Sequence, residues 1–424
     1  MEIPVSQHVS IDRTRSAERI GRDIETLAGP AYTSSERAIC RYAYTDVYRN
    51  TLDYFRERLG ELGFRVYEDP VGNLVARNRP PGEPVFGLGS HCDSNRNGGK
   101  YDGTMGVVTA LEVCRLDAEL GLGLPLQLIS FLEEEGSGFG QMLLGSRIVA
   151  GRVTERALRQ DVRAIDDGRS FWEHAEEAGY QPSRWPECAA ILDDLTGWLE
   201  LHIEQGRVLQ DAGHRVGVVS AIAGYVHADV EVRGRADHAG ATPMDLRLDA
   251  GTVAAASLLE LQRLARRANE KVPTVGTVGE VSLDPGLINV VPGGARFSLD
   301  IRGVDDRVVG EVFHQLSGFA HERAGREGMT ATVTERQTVP VTPMDARIIS
   351  ALEGAAGRAG EPYTVLHSGA AHDTMSVAGR VPAGMVFVAC RDGVSHSPEE
   401  EARPEDAAVG AEVMLNAIAA TTES

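Results

Sequence analysis

VFGLGSHCDSNRNGGKYDGTMGVVTALEVCRLDAELGLGLPLQLISFLEEE, residues 85–135, carries the fold class in its alternation of textures. Val85–Gly89 is a short apolar run that reads as a strand, and a glycine-rich polar loop follows it. Met105–Leu120 has helical periodicity. Leu126–Leu132 is a second apolar run, and it ends abruptly on three glutamates. Strand, helix and strand in this order predict a mostly parallel sheet covered by helices on both faces. Ligands of such sheets gather beyond the carboxyl ends of the strands, where both polar clusters of this stretch stand.

Outward from this unit, the first ~75 residues read as helical, with apolar residues at helical spacing over Ala38–Leu62. The texture changes near Val216. Val226–Val232 alternates as a half-buried strand, and Asp245–Asn269 reads as a helix. Thr274–Leu283 and Ala295–Arg302 read as a strand pair, Asp306–Arg326 as a helix and Met329–Thr338 as a strand. That βαββαβ order predicts a ferredoxin-like α+β module inserted into the first domain. The α/β pattern resumes with a helix at Ala346–Ala359 and a strand at Ala383–Ala389. The expected organisation is a catalytic domain over 1–215 and 333–424, interrupted by an inserted domain over 216–332.

Composition narrows the functional classes. A chain of 424 residues with 42% hydrophobic side chains suits two domains with substantial cores. A net charge of −20 argues against a nucleic-acid partner, which requires concentrated Lys and Arg. Cys40, Cys92, Cys114, Cys188 and Cys390 are scattered and odd in number, which points to a reducing, cytoplasmic setting rather than a disulfide framework. The N-terminal MEIPVSQHVSIDRTRSAERI lacks the apolar core of a signal peptide, and no run approaches membrane-spanning length. The expectation is a soluble protein with neither a membrane nor a nucleic-acid partner.

Four segments could carry chemistry. GSHCDSNRNGGKYDG (89–103) holds His91 and Asp102, both suitable ligands for a borderline divalent cation, with Asp93 placed to orient the His91 ring. FLEEEGSGFG (131–140) places adjacent carboxylates after a strand, where one can bind metal and its neighbour act as a base. LHIEQG (201–206) and DGVSHSPEE (392–400) add His202 and His396. Each alone is also what a polar turn, a helix start or a hydrogen-bonded structural histidine looks like. Together they make an oxygen- and nitrogen-rich set compatible with Zn, Mn, Co or Ni.

GSHCDS…GGKYDG, EEEGSGFG, LHIEQG, ADHAGATPM, LINVVPGGARFSLDIR, SGAAHDTM and GVSHSPEE resemble, in order over residues 20 to 420, the motifs of the M20 amidohydrolases. Within them the chain is most similar to the hydantoinase/carbamoylase branch. The resemblance implies two divalent ions per subunit, one shared by His91 and His202, the other held by Glu135 and His396, with Asp102 bridging. It makes Glu134 the general base and the inserted module a lid and dimerisation domain. His238 then stabilises the oxyanion, while Asn289 and Arg302 join Gln205, Ser368 and Gly369 in binding substrate. His372 becomes a supporting residue beside the metal site.

The implied reaction is hydrolysis of an N-carbamoyl-L-amino acid or related ureido acid, a small molecule bearing a carboxylate, by a homodimer. Allantoate or ureidoglycolate, or another C–N bond in an acyl-amino acid, dipeptide or aryl amine, are the alternatives. A binding protein on a retired hydrolase scaffold is the reading from another class, opposed by the complete ligand set. One departure from the family bears on the substrate: the arginine of its EEG-x-R-F pattern is Gly138 here.

Overall fold

The computed structural model describes residues 8–422, so residues 1–7 of the N-terminal stretch lie outside it. Two compact units emerge. One comprises the chain up to Ser220 and again from Met344; the other is Ala221–Pro343.

The first half of the chain supplies β1 (Arg65–Glu68), β2 (Leu74–Arg77), β3 (Val85–His91), β4 (Leu126–Phe131), β5 (Leu195–Ile203) and β6 (Val216–Ile222). The inserted segment carries β7 (Gly224–Arg233), β8 (Asp237–His238), β9 (Thr274–Thr277), β10 (Val281–Asp284), β11 (Val290–Val291), β12 (Gly294–Gly303) and β13 (Thr330–Val339). Thr342–Pro343, the last residues of the inserted unit, form β14, and the return adds β15 (Tyr363–Ser368) and β16 (Ala383–Val388). The larger sheet runs β1-β2-β4-β3-β5-β16-β6-β14, with β15 beside β6. Its centre, β4-β3-β5-β16, is parallel, and antiparallel strands flank that centre on both sides. The parallel centre brings the carboxyl ends of four strands to one side.

These central strands are largely apolar without strict alternation because both of their faces are covered. β3, β4 and β16 are buried at every residue. β5 shows both faces at once. Leu201 packs near Gly410 of the helix Pro404–Thr422, whereas Trp198 and Glu200, of opposite parity, hydrogen-bond to Thr374 at the start of the helix Thr374–Val377.

Three expectations need correction. The helix expected over Ala38–Leu62 covers only Asp46–Glu61, where Thr45 caps it. The preceding residues are held by tertiary bonds instead: Ile39 bridges Gly98, and buried Arg41 donates to Cys92 O (3.0 Å) and Tyr32 O (2.8 Å). Next, the inserted unit is 221–343 rather than 216–332. Residues Val216–Val219 of β6 pair with β16, so they stay with the larger sheet, while β13 runs on to Val339. Finally, the expected strand Thr274–Leu283 is two strands, β9 and β10, both antiparallel to β12.

The inserted unit has the strand order β10-β12-β7-β13 of a ferredoxin-like sheet. Alternation decides its faces. Val226, Ala228, Val230 and Val232 of β7 point with Phe297, Leu299 and Ile301 of β12 into a core completed by Leu261, Leu264 and Leu316 of the helices Ala250–Asn269 and Asp306–Arg326.

Candidate metal centre

His91 is the last residue of β3, and His202 lies one residue before the end of β5. Glu134 and Glu135 follow β4, and His396 lies in the loop after β16. The parallel sheet centre therefore delivers all of them to the side where its strands' carboxyl ends lie. Asp102 comes from the loop entering the helix Thr104–Leu120, whose positive end favours a carboxylate. Gly103 makes this turn possible. Its φ is +59°, and a Cβ there would lie 2.3 Å from the His91 ring.

The side chains converge on Asp102. Its Oδ1 lies 3.1 Å from His202 Nε2 and 3.8 Å from His91 Nε2. Its Oδ2 lies 3.2 Å from His396 Nε2, which is 3.4 Å from Glu135 Oε2. Two donor clusters thus share one carboxylate: His91, Asp102 and His202, and Asp102, Glu135 and His396. Glu134 Oε2 stands 3.7 Å from His91 Nε2.

Ligand atoms on a tetrahedral ion bound at ~2.0–2.1 Å stand about 3.3 Å apart, so these separations suit divalent cations. The imidazole and carboxylate donors include no thiolate, which fits the borderline ions expected. Ring orientation fits as well. His91 Nδ1 is 3.1 Å from Asp93 O and His202 Nδ1 is 2.9 Å from Ile203 O. Both rings thereby donate through Nδ1, which directs their Nε2 atoms toward Asp102.

Burial and crowding set the electrostatics. Burial alone would raise the Asp102 carboxyl, but hydrogen bonds from His202 and His396 hold it well below the usual carboxylate range. Burial pushes Glu134 well up, with the neighbouring Glu135 adding to the shift. Burial and the Asp102 charge push Glu135 up to about 8. The hydrogen bond to Asp102 raises His396 to about 9. Such a concentration of displaced titrations around one shared carboxylate is what a site built to hold cations produces.

Other expected residues are placed differently from the sequence reading. The carboxylate of Asp93 stands 3.5 Å from His91 Nδ1 and also accepts the backbone N–H groups of Glu134 (3.1 Å) and Glu135 (3.0 Å), fixing the acid pair. Gln205 donates to Asp102 Oδ2 (3.0 Å) and Ser395 Oγ (3.0 Å), so its amide supports the shared carboxylate. Ser368 is buried with its hydroxyl 2.9 Å from His372 Nε2, while Gly369 is exposed. The His372 ring packs edge-on at 4.4 Å from that of His202.

Three residues of the inserted unit form two groups. His238 and Val290 are paired across β8 and β11, which sets Asn289 beside His238. His238 Nδ1 accepts the N–H groups of Gly240 and Ala241, both at 3.1 Å, which places the ring proton on Nε2. Arg302 is engaged by Asp300 of its own strand, Nε to Oδ1 at 2.9 Å and Nη2 to Oδ2 at 2.9 Å.

One supporting acid escapes the sequence reading. Glu200 is fully buried and accepts Ser90 Oγ (2.8 Å) and Thr374 Oγ1 (2.7 Å), tying β3, β5 and the segment after β15 together. An acid inside the apolar run GWLELHI was its only signal. Glu133, with φ +55°, accepts Gly138 N and Phe139 N at 2.7 Å each. A Cβ at Gly138 would lie 2.9 Å from Glu133 Oε2, so a larger residue there requires Glu133 to move.

The model of peptidase family M20/M25/M40 matches residues 87–420. The chain belongs to this family. The M20 chain is 38% identical over 385 residues to the N-carbamoyl-L-amino acid amidohydrolase of Geobacillus stearothermophilus, covering 90% of this chain and 92% of that one. It is 35% identical over 413 residues to the ureidoglycolate hydrolase of Oryza sativa subsp. japonica, covering 95% and 84%. A hydantoinase/carbamoylase family amidase from Burkholderia ambifaria matches its structure with a TM-score of 0.86 at 30% identity over 98% of each chain. These likenesses place this M20 chain in the hydantoinase/carbamoylase branch and make it an amidohydrolase.

Proposed function

We propose that this enzyme hydrolyses the ureido C–N bond of an N-carbamoyl-L-amino acid or a closely related ureido acid, releasing ammonia, carbon dioxide and the free amine. One observation carries the reading: two donor clusters share the Asp102 carboxylate, with Glu134 buried against them. His91 and His202 would hold one divalent ion, Glu135 and His396 the other, and Asp102 would serve both; Zn, Mn, Co and Ni all suit the donors. Bound there, such ions lower the pKa of water and polarise a carbonyl.

Glu134 takes the attacking water's proton and returns it to the leaving nitrogen. His238, with its proton on Nε2, donates to the carbonyl oxygen as charge develops, and Asn289 lies alongside. Arg302 binds the substrate carboxylate, which must share or displace Asp300. Ureidoglycolate and allantoate present the same ureido and carboxylate groups. They form the second reading, favoured by the comparable identity to a ureidoglycolate hydrolase.

An ammonia-release screen of metal-reconstituted protein tests this reading. Carbamoyl amino acids, allantoate and ureidoglycolate are compared with acyl-amino acids and dipeptides, for which the amine product is followed, and with aryl amines, for which ammonia is followed. Turnover confined to the last three refutes the ureido assignment. Arg302→Ala is expected to raise KM for carboxylate substrates about 10- to 100-fold, the equivalent of a charged hydrogen bond of about 1.5–3 kcal/mol. An equal loss on a neutral amide refutes the clamp.

Ion uptake is expected to release protons. Without ions, Glu135 at about 8 and His396 at about 9 are protonated at pH 7, and each must lose its proton to become a ligand. Affinity therefore rises with pH across that range. Titration calorimetry at pH 7 in buffers of different ionisation heat reads the release directly, and uptake without it refutes the ligand assignment.

A second copy of the chain is the proposed partner of the inserted domain. β9 and β10 pair only with β12 among the described residues, leaving a sheet edge that exposes Val275, Val281 and Leu283. Sedimentation equilibrium should give a dimer; a monomer at micromolar concentration overturns this assignment. No described helix is long and apolar enough to cross a membrane. The five free cysteines support a reducing compartment, and we assign the enzyme to the cytoplasm on that basis.

A further inference from the structure

Glu400 is 4% exposed and touches neither histidine of the first cluster, yet its carboxylate is fully engaged beside the shared aspartate. Oε1 accepts the backbone N–H groups of Tyr101 and of Asp102 itself, both at 2.9 Å. Oε2 lies 3.0 Å from Ser395 Oγ, which is 3.3 Å from Asp102 Oδ2 and accepts the Gln205 amide at 3.0 Å. The approach is close enough to dictate the opposing residue: a Cβ at Gly99 would fall 2.4 Å from the Glu400 side chain.

The two ion sites differ in how their histidines are held. His91 and His202 sit on β3 and β5, and each ring is oriented by a backbone carbonyl. His396 sits on a loop with a left-handed backbone, φ +55°, and its side chain is 48% exposed. The same loop carries Ser395 and leads directly to Glu400. Glu400 therefore ties the loop of His396 to the backbone of Asp102, the one residue that both clusters need.

We propose that Glu400 is a positioning residue that assembles the second ion site, acting through the backbone of Asp102 and the His396 loop rather than as a ligand. The proposal rests on the two-ion reading above. With the latch cut, the strand-borne histidines still hold their ion, while His396 is no longer kept opposite Asp102 and Glu135. Glutamine preserves the latch: its amide oxygen accepts both backbone N–H groups and its nitrogen donates to Ser395 Oγ.

Ion-free parent, Glu400→Ala and Glu400→Gln proteins are titrated with Co²⁺, following visible absorption and calorimetric heat, with thermal melting of each as a folding control. The parent is expected to take up two ions. Glu400→Ala should bind the first ion within about threefold of the parent and the second about 10- to 100-fold more weakly, the range for residues that support ligands from outside. Glu400→Gln should return the second affinity to within about threefold.

If Glu400→Ala titrates like a two-ion parent, the proposal is overturned. It is equally overturned if both ions weaken alike and Glu400→Gln does no better, because that is the signature of general structural damage. A parent that binds fewer than two ions refutes the two-ion reading itself, and the proposal falls with it.

Discussion

Glu134→Gln should lower kcat by about 10²- to 10⁴-fold, the usual contribution of a positioned acid–base group, while two divalent ions are still taken up. The substitution is nearly isosteric in a buried position, and the N–H of residue 134 keeps its bond to Asp93. It removes the one capacity the proposal needs, a carboxylate that holds and then surrenders a proton. Burial already pushes this carboxyl well above its ordinary range. Metal analysis beside steady-state kinetics separates the outcomes. Activity near that of the parent removes Glu134 as the base, and lost metal makes it a ligand instead.

Asp102→Asn should have the opposite signature, with both ions weakened together by more than about 100-fold, beyond the loss typical of residues that only support ligands. Asp102 is the sole member of both clusters, and His91, His202 and His396 all direct a ring nitrogen at its two oxygens. An amide removes the charge and turns an N–H toward one of those nitrogens. The Gln205 amide then faces either the remaining oxygen or another donor. Equilibrium dialysis reads the occupancy of each site. Retention of one ion at parental affinity refutes the bridging assignment. His202→Ala, which touches only the first cluster, is the comparison, and it should spare the second ion.

Much of this architecture is visible in one dimension because periodicity and burial leave a mark on every residue. β3, β4 and β16 read as largely apolar runs since both sheet faces are covered. β7 alternates since only one of its faces meets the inserted domain's core. The helix Asp306–Arg326 has the bounds that its pattern predicts. Where tertiary contacts outweigh local pattern, the reading fails. Ala38–Thr45 has helical spacing, but buried Arg41 satisfies its guanidinium on carbonyls from three separate segments, and the backbone follows that demand.

The same division runs through the metal centre. Residue type and motif order single out His91, Asp102, Glu134, Glu135, His202 and His396, because few side chains can coordinate a cation or move a proton, and their placement after apolar runs marks strand ends. Their convergence on Asp102 is decided by four parallel strands, about 300 residues of chain apart at the extremes, whose carboxyl ends lie on one side of the sheet. The supporting groups are settled later still. Asp93 turns its carboxylate to the acid pair, Gln205 turns to Asp102, and Glu400 reaches back to the Asp102 backbone. None of these partners is near its counterpart in sequence, and a hydrogen bond between distant segments has no period for a sequence to display. Chemistry was therefore written into the chain as residue types at strand ends, whereas the partner of each polar group, and with it the shape of the site, depended on which segments the folded sheet brought within 3 Å.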